Sequence, residues 1–427
     1  MRAVVALATA LFAVPTLSPA SSDRHSLTAA VDISWFGADS KLDSWLHGGS
    51  GKLRFDEAHD GPRINRAFVS YRGQIADTWF LHGTLNANDT IEETLDLTEA
   101  FVEWRPLPRS EWRWRGRAGF FYPRLSLENT KPGWTSPYAL SASAINTWIG
   151  EELRTLGAEM RLTRDLPRLP GNQLSFDAAV FYGNDPTGAL LAWRGWAAHD
   201  RQTGLLGRIP LPEVSAIEAW APSGNPTESF EPFQEIDNRP GYYLGGEWRW
   251  HQRLLLRYTY YDNRADPEAR SGDAYAWRTQ FRHIGGQATL PGDLGLLAQW
   301  IKGKTVMGPD LGPWHVQDVD FDAYYLMLTR ALGKHRFSVR FESFDLEPFN
   351  DPPGITNQDR GNAYAVAWLY SPLKRLQVGA EYLGIESERC RTEICFFVFR
   401  GQPRTTSERS LQVTLRWYFA GRAPGSR

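Results

Sequence analysis

The chain has 427 residues, with 47 Lys and Arg against 49 Asp and Glu, a formal net charge of -2, and 13% aromatic residues that include 18 Trp. So even a balance carries no chain-wide signal for nucleic acid or an acidic partner, and no nucleic-acid signature appears. A mean hydropathy of -0.43 beside so many aromatics fits a water-facing lumen with aromatic belts at two membrane interfaces. Sugar-stacking platforms of a large secreted glycosidase would give the same aromatic content.

Met1-Arg2, the apolar run Ala3 to Val14 and the small-residue stretch Pro15 to Ala20 read as a signal peptide, residues 1–20, cut after Ala20. An apolar run of about 12 residues falls short of the ~20 that cross a bilayer as a helix. No later stretch is long and apolar enough to do so. The exported part, residues 21–427, is therefore expected to form one domain, and to enter a membrane only as a closed barrel.

Strands follow in order, each alternating with period two so that one face is apolar and the other polar. Leu27 to Trp35 is the first and Arg66 to Arg72 the second. Trp79 to Ala87 sets Trp79, Leu81, Gly83 and Leu85 against Phe80, His82, Thr84 and Asn86. Glu99 to Arg105 and Trp112 to Phe120 form the most informative hairpin. Its second strand puts Trp112, Trp114, Gly116, Ala118 and Phe120 on one face and Arg113, Arg115 and Arg117 on the other. Further strands are read near Arg154 to Thr163, Leu174 to Tyr182, Gly241 to Trp250, Arg253 to Asp262, Ala274 to Leu290 and Leu294 to Lys302. Phe321 to Ala331, His335 to Phe344, Asn362 to Tyr370, Leu376 to Gly384 and Glu408 to Phe419 complete the set. Short turns alternate with long gaps, among them Pro123 to Glu152, Gly183 to Pro240 and Gly303 to Asp320. The fold class is thus all-β, a transmembrane antiparallel barrel of about 16 strands with long extracellular loops and short periplasmic turns.

Period two also sorts the charges. Arg66, Arg72, Arg105, Arg113, Arg115, Arg117, Arg161, Arg249, Arg257, Arg278, Arg282, Arg336, Arg340 and Arg416 fall on the polar face, and outnumber Asp32, Glu99, Glu103, Glu159, Asp177, Glu247, Glu342 and Glu381 there. Most of these should brace the wall as Arg–Glu pairs. Arg113, Arg115 and Arg117 stand out as three on one strand, and rings of arginine in a pore select anions.

Ala118 to Glu128, reading AGFFYPRLSLE, resembles the strand-to-loop segment of the phosphate-selective porin O/P family. Arg66-Ala67-Phe68-Val69 and Trp79-Phe80-Leu81-His82 occupy comparable places, and the resemblance covers roughly the first 160 residues. It implies a 16-stranded, trimeric outer-membrane channel whose lumen Arg and Lys guide anions past infolded loops. Few Lys lie on the polar faces here. The stiff aromatic turn Lys131, Trp134, Tyr138 and a short helix over Ala139 to Trp148 suit such a constriction.

Cys390 and Cys395 are expected to form a small loop disulfide in an oxidising compartment; no third or fourth metal ligand stands near them. The nine His are scattered, and the adjacent acids Glu92-Glu93 and Glu151-Glu152 point apart. No enzyme, metal or cofactor is expected. The reading is a passive channel in the outer membrane of a Gram-negative-type bacterium, favouring small anions such as phosphate, with lipids and lipopolysaccharide around it. The alternative is a barrel that exports or binds a polysaccharide or other ligand, with Gly183 to Pro240 as its lid.

Overall fold

A computed structural model describes residues 24–89, 95–212, 229–272, 274–310, 312, 315–348, 358–389 and 403–425. The expected signal peptide, Cys390 and Cys395 lie outside the described residues. Sixteen antiparallel strands close on themselves: β1 His25–Asp39, β2 Gly61–Ala76, β3 Trp79–Asn88, β4 Leu95–Trp104, β5 Trp112–Phe121, β6 Thr155–Asp165, β7 Asn172–Tyr182 and β8 Gly241–Trp250. Then come β9 Leu254–Asp262, β10 Arg278–Leu290, β11 Leu294–Asp310, β12 His315–Leu332, β13 His335–Pro348, β14 Asp359–Leu373, β15 Leu376–Arg389 and β16 Thr405–Ala420. Every strand pairs with its sequence neighbour, and β1 meets β16 at Asp32↔Arg416, which leaves no open edge.

Closure is what lipid demands, because hydrocarbon cannot satisfy a free edge. The outward row is correspondingly apolar: Leu81, Leu85, Trp114, Leu244, Leu328, Val339, Val366 and Val413 are all exposed. Trp79 and Trp104 tilt together, 6.4 Å apart, near the short-turn end. Tyr364 and Tyr382 do so, 6.1 Å apart, nearer the long loops. These are the two interface belts. No helix among the described residues is long and apolar enough to cross a membrane. The barrel belongs in an outer membrane.

The Gly303 to Asp320 gap, read as a loop, is mostly strand. β11 and β12 continue as a ladder through Lys302↔Asp322 and Lys304↔Asp320 to Met307↔Gln317. Their outward residues there are charged because the ladder has left the hydrocarbon, so the membrane pattern stops while the strands run on. Opposite charges facing each other across the ladder support it. At 18 residues, β12 spans about 60 Å, far beyond the ~9–11 residues that cross a bilayer.

The lumen departs from a simple polar interior. Near the long loops the inner wall carries Tyr243, Tyr261, Phe281, Ile301, Phe321, Phe344 and Leu346, all buried. They are buried because loops 40–60, 122–154 and 183–212 fold inward and pack on them. Two polar-face assignments fail for the same reason. β10 turns Thr279, Phe281 and His283 inward, so Arg278 and Arg282 face outward with Ile284.

Candidate functional site

The second infolded loop starts where β5 ends. Its turn is closed by Lys131 N–H to Thr135 O at 3.0 Å and Thr135 N–H to Lys131 O at 3.2 Å, with the Lys131 side chain exposed. Trp134 is buried, stacked on Tyr122 with centroids 4.4 Å apart and planes 2° from parallel. Gly133 has φ 67° and lies flat on the Phe68 ring, where a Cβ would come within 2.6 Å of it. Only glycine fits both demands. Tyr138 is half-buried beneath the Arg336 guanidinium, 5.3 Å from the ring centre.

The helix of this loop, α1, is Ala144–Glu152, shifted from the expected Ala139 to Trp148 because Ser143 caps it, its hydroxyl accepting from Asn146 N–H. All nine residues are buried. Trp148 packs against Phe321, Phe281 and Trp196 at 5.3, 5.6 and 6.1 Å, which holds the helix against the inner wall at β12 and β10 and against loop 183–212. Arg154 caps the far end: its guanidinium donates to the carbonyls of Ile149, Gly150 and Leu153.

Glu151 and Glu152 point apart, as their adjacency implies, and each takes hold of the third loop. The Glu152 carboxylate accepts the Gly188, Leu190 and Leu191 N–H groups that open the short helix α2, Ala189–Arg194. Glu151 forms two parallel bonds with Arg194, at 2.9 and 2.8 Å. The first loop ties in as well, through Lys52 to Asp359 at 2.5 Å and Arg54 to Asp200 at 2.6 Å. Three loops and the wall therefore make one packed plug. Nothing in the strand periodicity marked Lys52, Arg54, Glu128 or Arg194, because an irregular segment gives no sign of which side chains turn inward; Arg154, read as the start of a strand, lies one residue before β6. The Ser143 cap ahead of an apolar run was the one available signal.

Beneath the plug, toward the short turns, the lumen opens into a cavity of about 420 Å³. Seven arginines line it, Arg105, Arg113, Arg115, Arg124, Arg161, Arg249 and Arg257, with Glu247 as the one carboxylate among the lining residues. Arg124 arrives from the second loop, and its carbonyl accepts from Arg257. Glu247 is shared by Arg161, Arg249 and Arg257 at 2.8, 3.0 and 2.5 Å, and Asp177 also holds Arg161 at 2.9 Å, so two carboxylates answer three guanidiniums.

The three arginines of β5 divide. Arg117 is buried and forms a two-bond pair with the equally buried Glu159 at 2.8 and 2.7 Å; it is part of the wall. Arg115 is half exposed, and its nearest carboxylate, Glu103, is 4.0 Å away and already bonded to Arg105. Arg113 meets Asp165 at 2.8 Å, with both side chains open to water at the rim. Exposed pairs of this kind are worth at most about 1 kcal/mol and are screened, so Arg113 and Arg115 keep most of their positive field at the lumen surface. Arg66 shares buried Asp32 with Arg416, at 3.1 and 2.6 Å, and also belongs to the wall. Arg72 faces the same lower lumen, 5.1 Å over the Phe80 ring.

No protein-family model matches the sequence, and no curated protein does. Solved structures do resemble the fold. An anion-selective porin from Comamonas acidovorans aligns with a TM-score of 0.50 and 12% identity, over 92% of this chain and 99% of that one. OmpF of Salmonella typhi, in complex with daunomycin, aligns with a TM-score of 0.50 and 8% identity, over 92% and 97%. The outer membrane channel DcaP of Acinetobacter baumannii has a TM-score of 0.49 and 12% identity over 93% and 98%. The architecture is that of the 16-stranded outer-membrane porins.

Proposed function

We propose that the protein is an outer-membrane channel for small hydrophilic solutes that favours anions, phosphate among them, and that it has no catalytic role. The observation that carries this reading is the cavity lined by seven arginines and one glutamate in a chain whose total charge is slightly negative. Such a ring raises the local anion concentration and repels cations. Arg105, Arg113, Arg115 and Arg124 attract; Arg66 and Arg117 hold the wall; the loop with Lys131, Trp134 and Tyr138 narrows the passage from above. Arginine forks also match the paired oxygens of phosphate. The likeness to the phosphate-selective O/P porins at Ala118 to Glu128 agrees with this, and a trimer set among outer-membrane lipids and lipopolysaccharide is the matching assembly.

Chloride conductance across a planar bilayer, titrated with phosphate, tests the proposal. Phosphate should reduce chloride current in a saturable way. Conductance indifferent to phosphate, with equal passage of cations, would contradict it.

The packed plug supports a second reading, a gated barrel that binds or exports a larger ligand such as a polysaccharide. In that case deletion of part of the third loop abolishes ligand binding instead of raising conductance.

A further inference from the structure

Loop 40–60 carries a cluster that the channel reading does not use. The turn Gly48-Gly49-Ser50-Gly51 folds the chain back sharply: Gly48 has φ 80°, and a Cβ on Gly49 would strike the Asp43 carbonyl at 2.0 Å. This brings His47, at the end of one 3-10 turn, onto His59, at the end of another. Their rings lie face to face, with centroids 3.6 Å apart and planes 8° from parallel. Both side chains are partly open to water on the long-loop side of the barrel, at 29% and 41% exposure.

Between them stands a fixed carboxylate. Asp56 is buried, and its two oxygens are held by backbone donors, Ser44 N–H at 2.7 Å and Ala58 N–H at 3.0 Å. The oxygen that Ala58 holds also lies 2.6 Å from His59 Nδ1, and the one that Ser44 holds lies 3.9 Å from His47 Nδ1. Ser44 is itself anchored, its hydroxyl donating to the Leu53 and Arg54 carbonyls. The carboxylate is therefore placed in advance, and the ligand-capable atoms of His47, Asp56 and His59 lie within 4.8 Å of one another. His47 gains no hydrogen bond from this position, so folding alone gives no reason for the stack.

From this geometry we infer that His47, Asp56 and His59 form an external binding site for a borderline divalent transition metal, with zinc as the best match. Two imidazoles and one carboxylate are a recurrent zinc donor set, and three protein ligands leave a position open to water. Hard Mg²⁺ and Ca²⁺ prefer all-oxygen sites and are excluded by the two nitrogens. Binding displaces the His59–Asp56 hydrogen bond, draws His47 toward Asp56 and turns the rings out of parallel; rotation about the terminal torsion of histidine is soft. The nearest cation, Arg63, is paired with Asp89 at 3.1 Å, which limits its repulsion. The ion would clasp the two ends of the loop whose middle, at Lys52 and Arg54, reaches into the plug.

The test is zinc titration of the untagged, folded chain in detergent micelles by calorimetry, with Co²⁺ absorption as the second readout. One zinc per chain is expected, together with visible Co²⁺ bands of a low-symmetry site. Outer-shell losses alone weaken metal sites roughly 10- to 100-fold, so His47→Ala and His59→Ala should each cost at least that, whereas His25→Ala at the opposite end should cost nothing. His47→Ala is the safer variant because the side chain makes no hydrogen bond. Absence of stoichiometric zinc in the wild type, or unchanged affinity in the His47→Ala, His59→Ala double variant, would overturn the site.

Discussion

Two arginines on one strand, two positions apart, have opposite tasks. Arg117→Ala leaves buried Glu159 with Arg124 as its remaining arginine, and breaking a buried pair costs about 3 kcal/mol or more. The variant should unfold at lower temperature in a heat-mobility assay, with anion preference little changed in the molecules that fold. Arg115→Ala removes a half-exposed guanidinium with no close partner, and should do the reverse. Equal stability of the two variants would show that Arg117 is not a wall residue. Asp185 gives a pH handle at the root of the third loop. Burial, reinforced by Glu235 and Asp237, pushes its carboxyl up to about 7 against the Ile236 N–H that holds it down. A carboxyl raised on folding favours the folded loop in its protonated form, so its contribution is complete below the ordinary range near 4 and is lost as pH rises through about 7. Protease cleavage within 184–240 should accelerate across that window, and Asp185→Asn should flatten the response. Period two placed Arg66, Arg72, Arg113, Arg115 and Arg117 on the lumen side, because alternation fixes the face wherever one face meets lipid. It failed at Arg278 and Arg282, where aromatic packing makes the inner face apolar too, and polarity ceases to tell in from out.

At the scale of elements, each strand read from alternation is present, and several proved longer than their apolar-polar pattern, β1, β2 and β11 to β16 among them. The loops were far less legible. α1 was read in outline as a short helix over Ala139 to Trp148, but its placement in the lumen depends on Glu128, Glu342 and Arg340 at its start, residues distant in sequence. Glu128 accepts from Ser143 N–H at 2.6 Å, Glu342 accepts from Ala144 N–H at 2.6 Å, and Arg340 bridges the two acids. Ser143→Ala removes the cap and should destabilise the plug by about 1 kcal/mol. Amide exchange over Ala144–Glu152 would report this as faster opening, while the barrel strands keep their protection. Unchanged exchange there would mean that the plug, not the cap, fixes the helix.

For the molecule as a whole, a closed wall and a filled upper lumen divide the work. The wall sets the location, since sixteen paired strands with apolar exteriors need a bilayer, or detergent in its place, around them. In the channel proposed above, the plug restricts passage and the arginine cavity beneath it sets the sign of the charge that enters. Shortening the third loop across Pro186 to Arg208 removes α2, Arg194 and their hold on Glu151 and Glu152. Single-channel conductance should then rise severalfold if the loop restricts flow, and stay level if it only supports the wall. The central claim concerns the cavity, and the most direct test is the reversal potential across a planar bilayer under a salt gradient, with Arg105, Arg115 and Arg124 intact or all replaced by Ala. The wild type should give a potential of the sign that favours anions, and the triple variant a potential moved toward zero. A wild-type potential at zero or favouring cations, or one that the triple variant leaves where it was, would contradict the account.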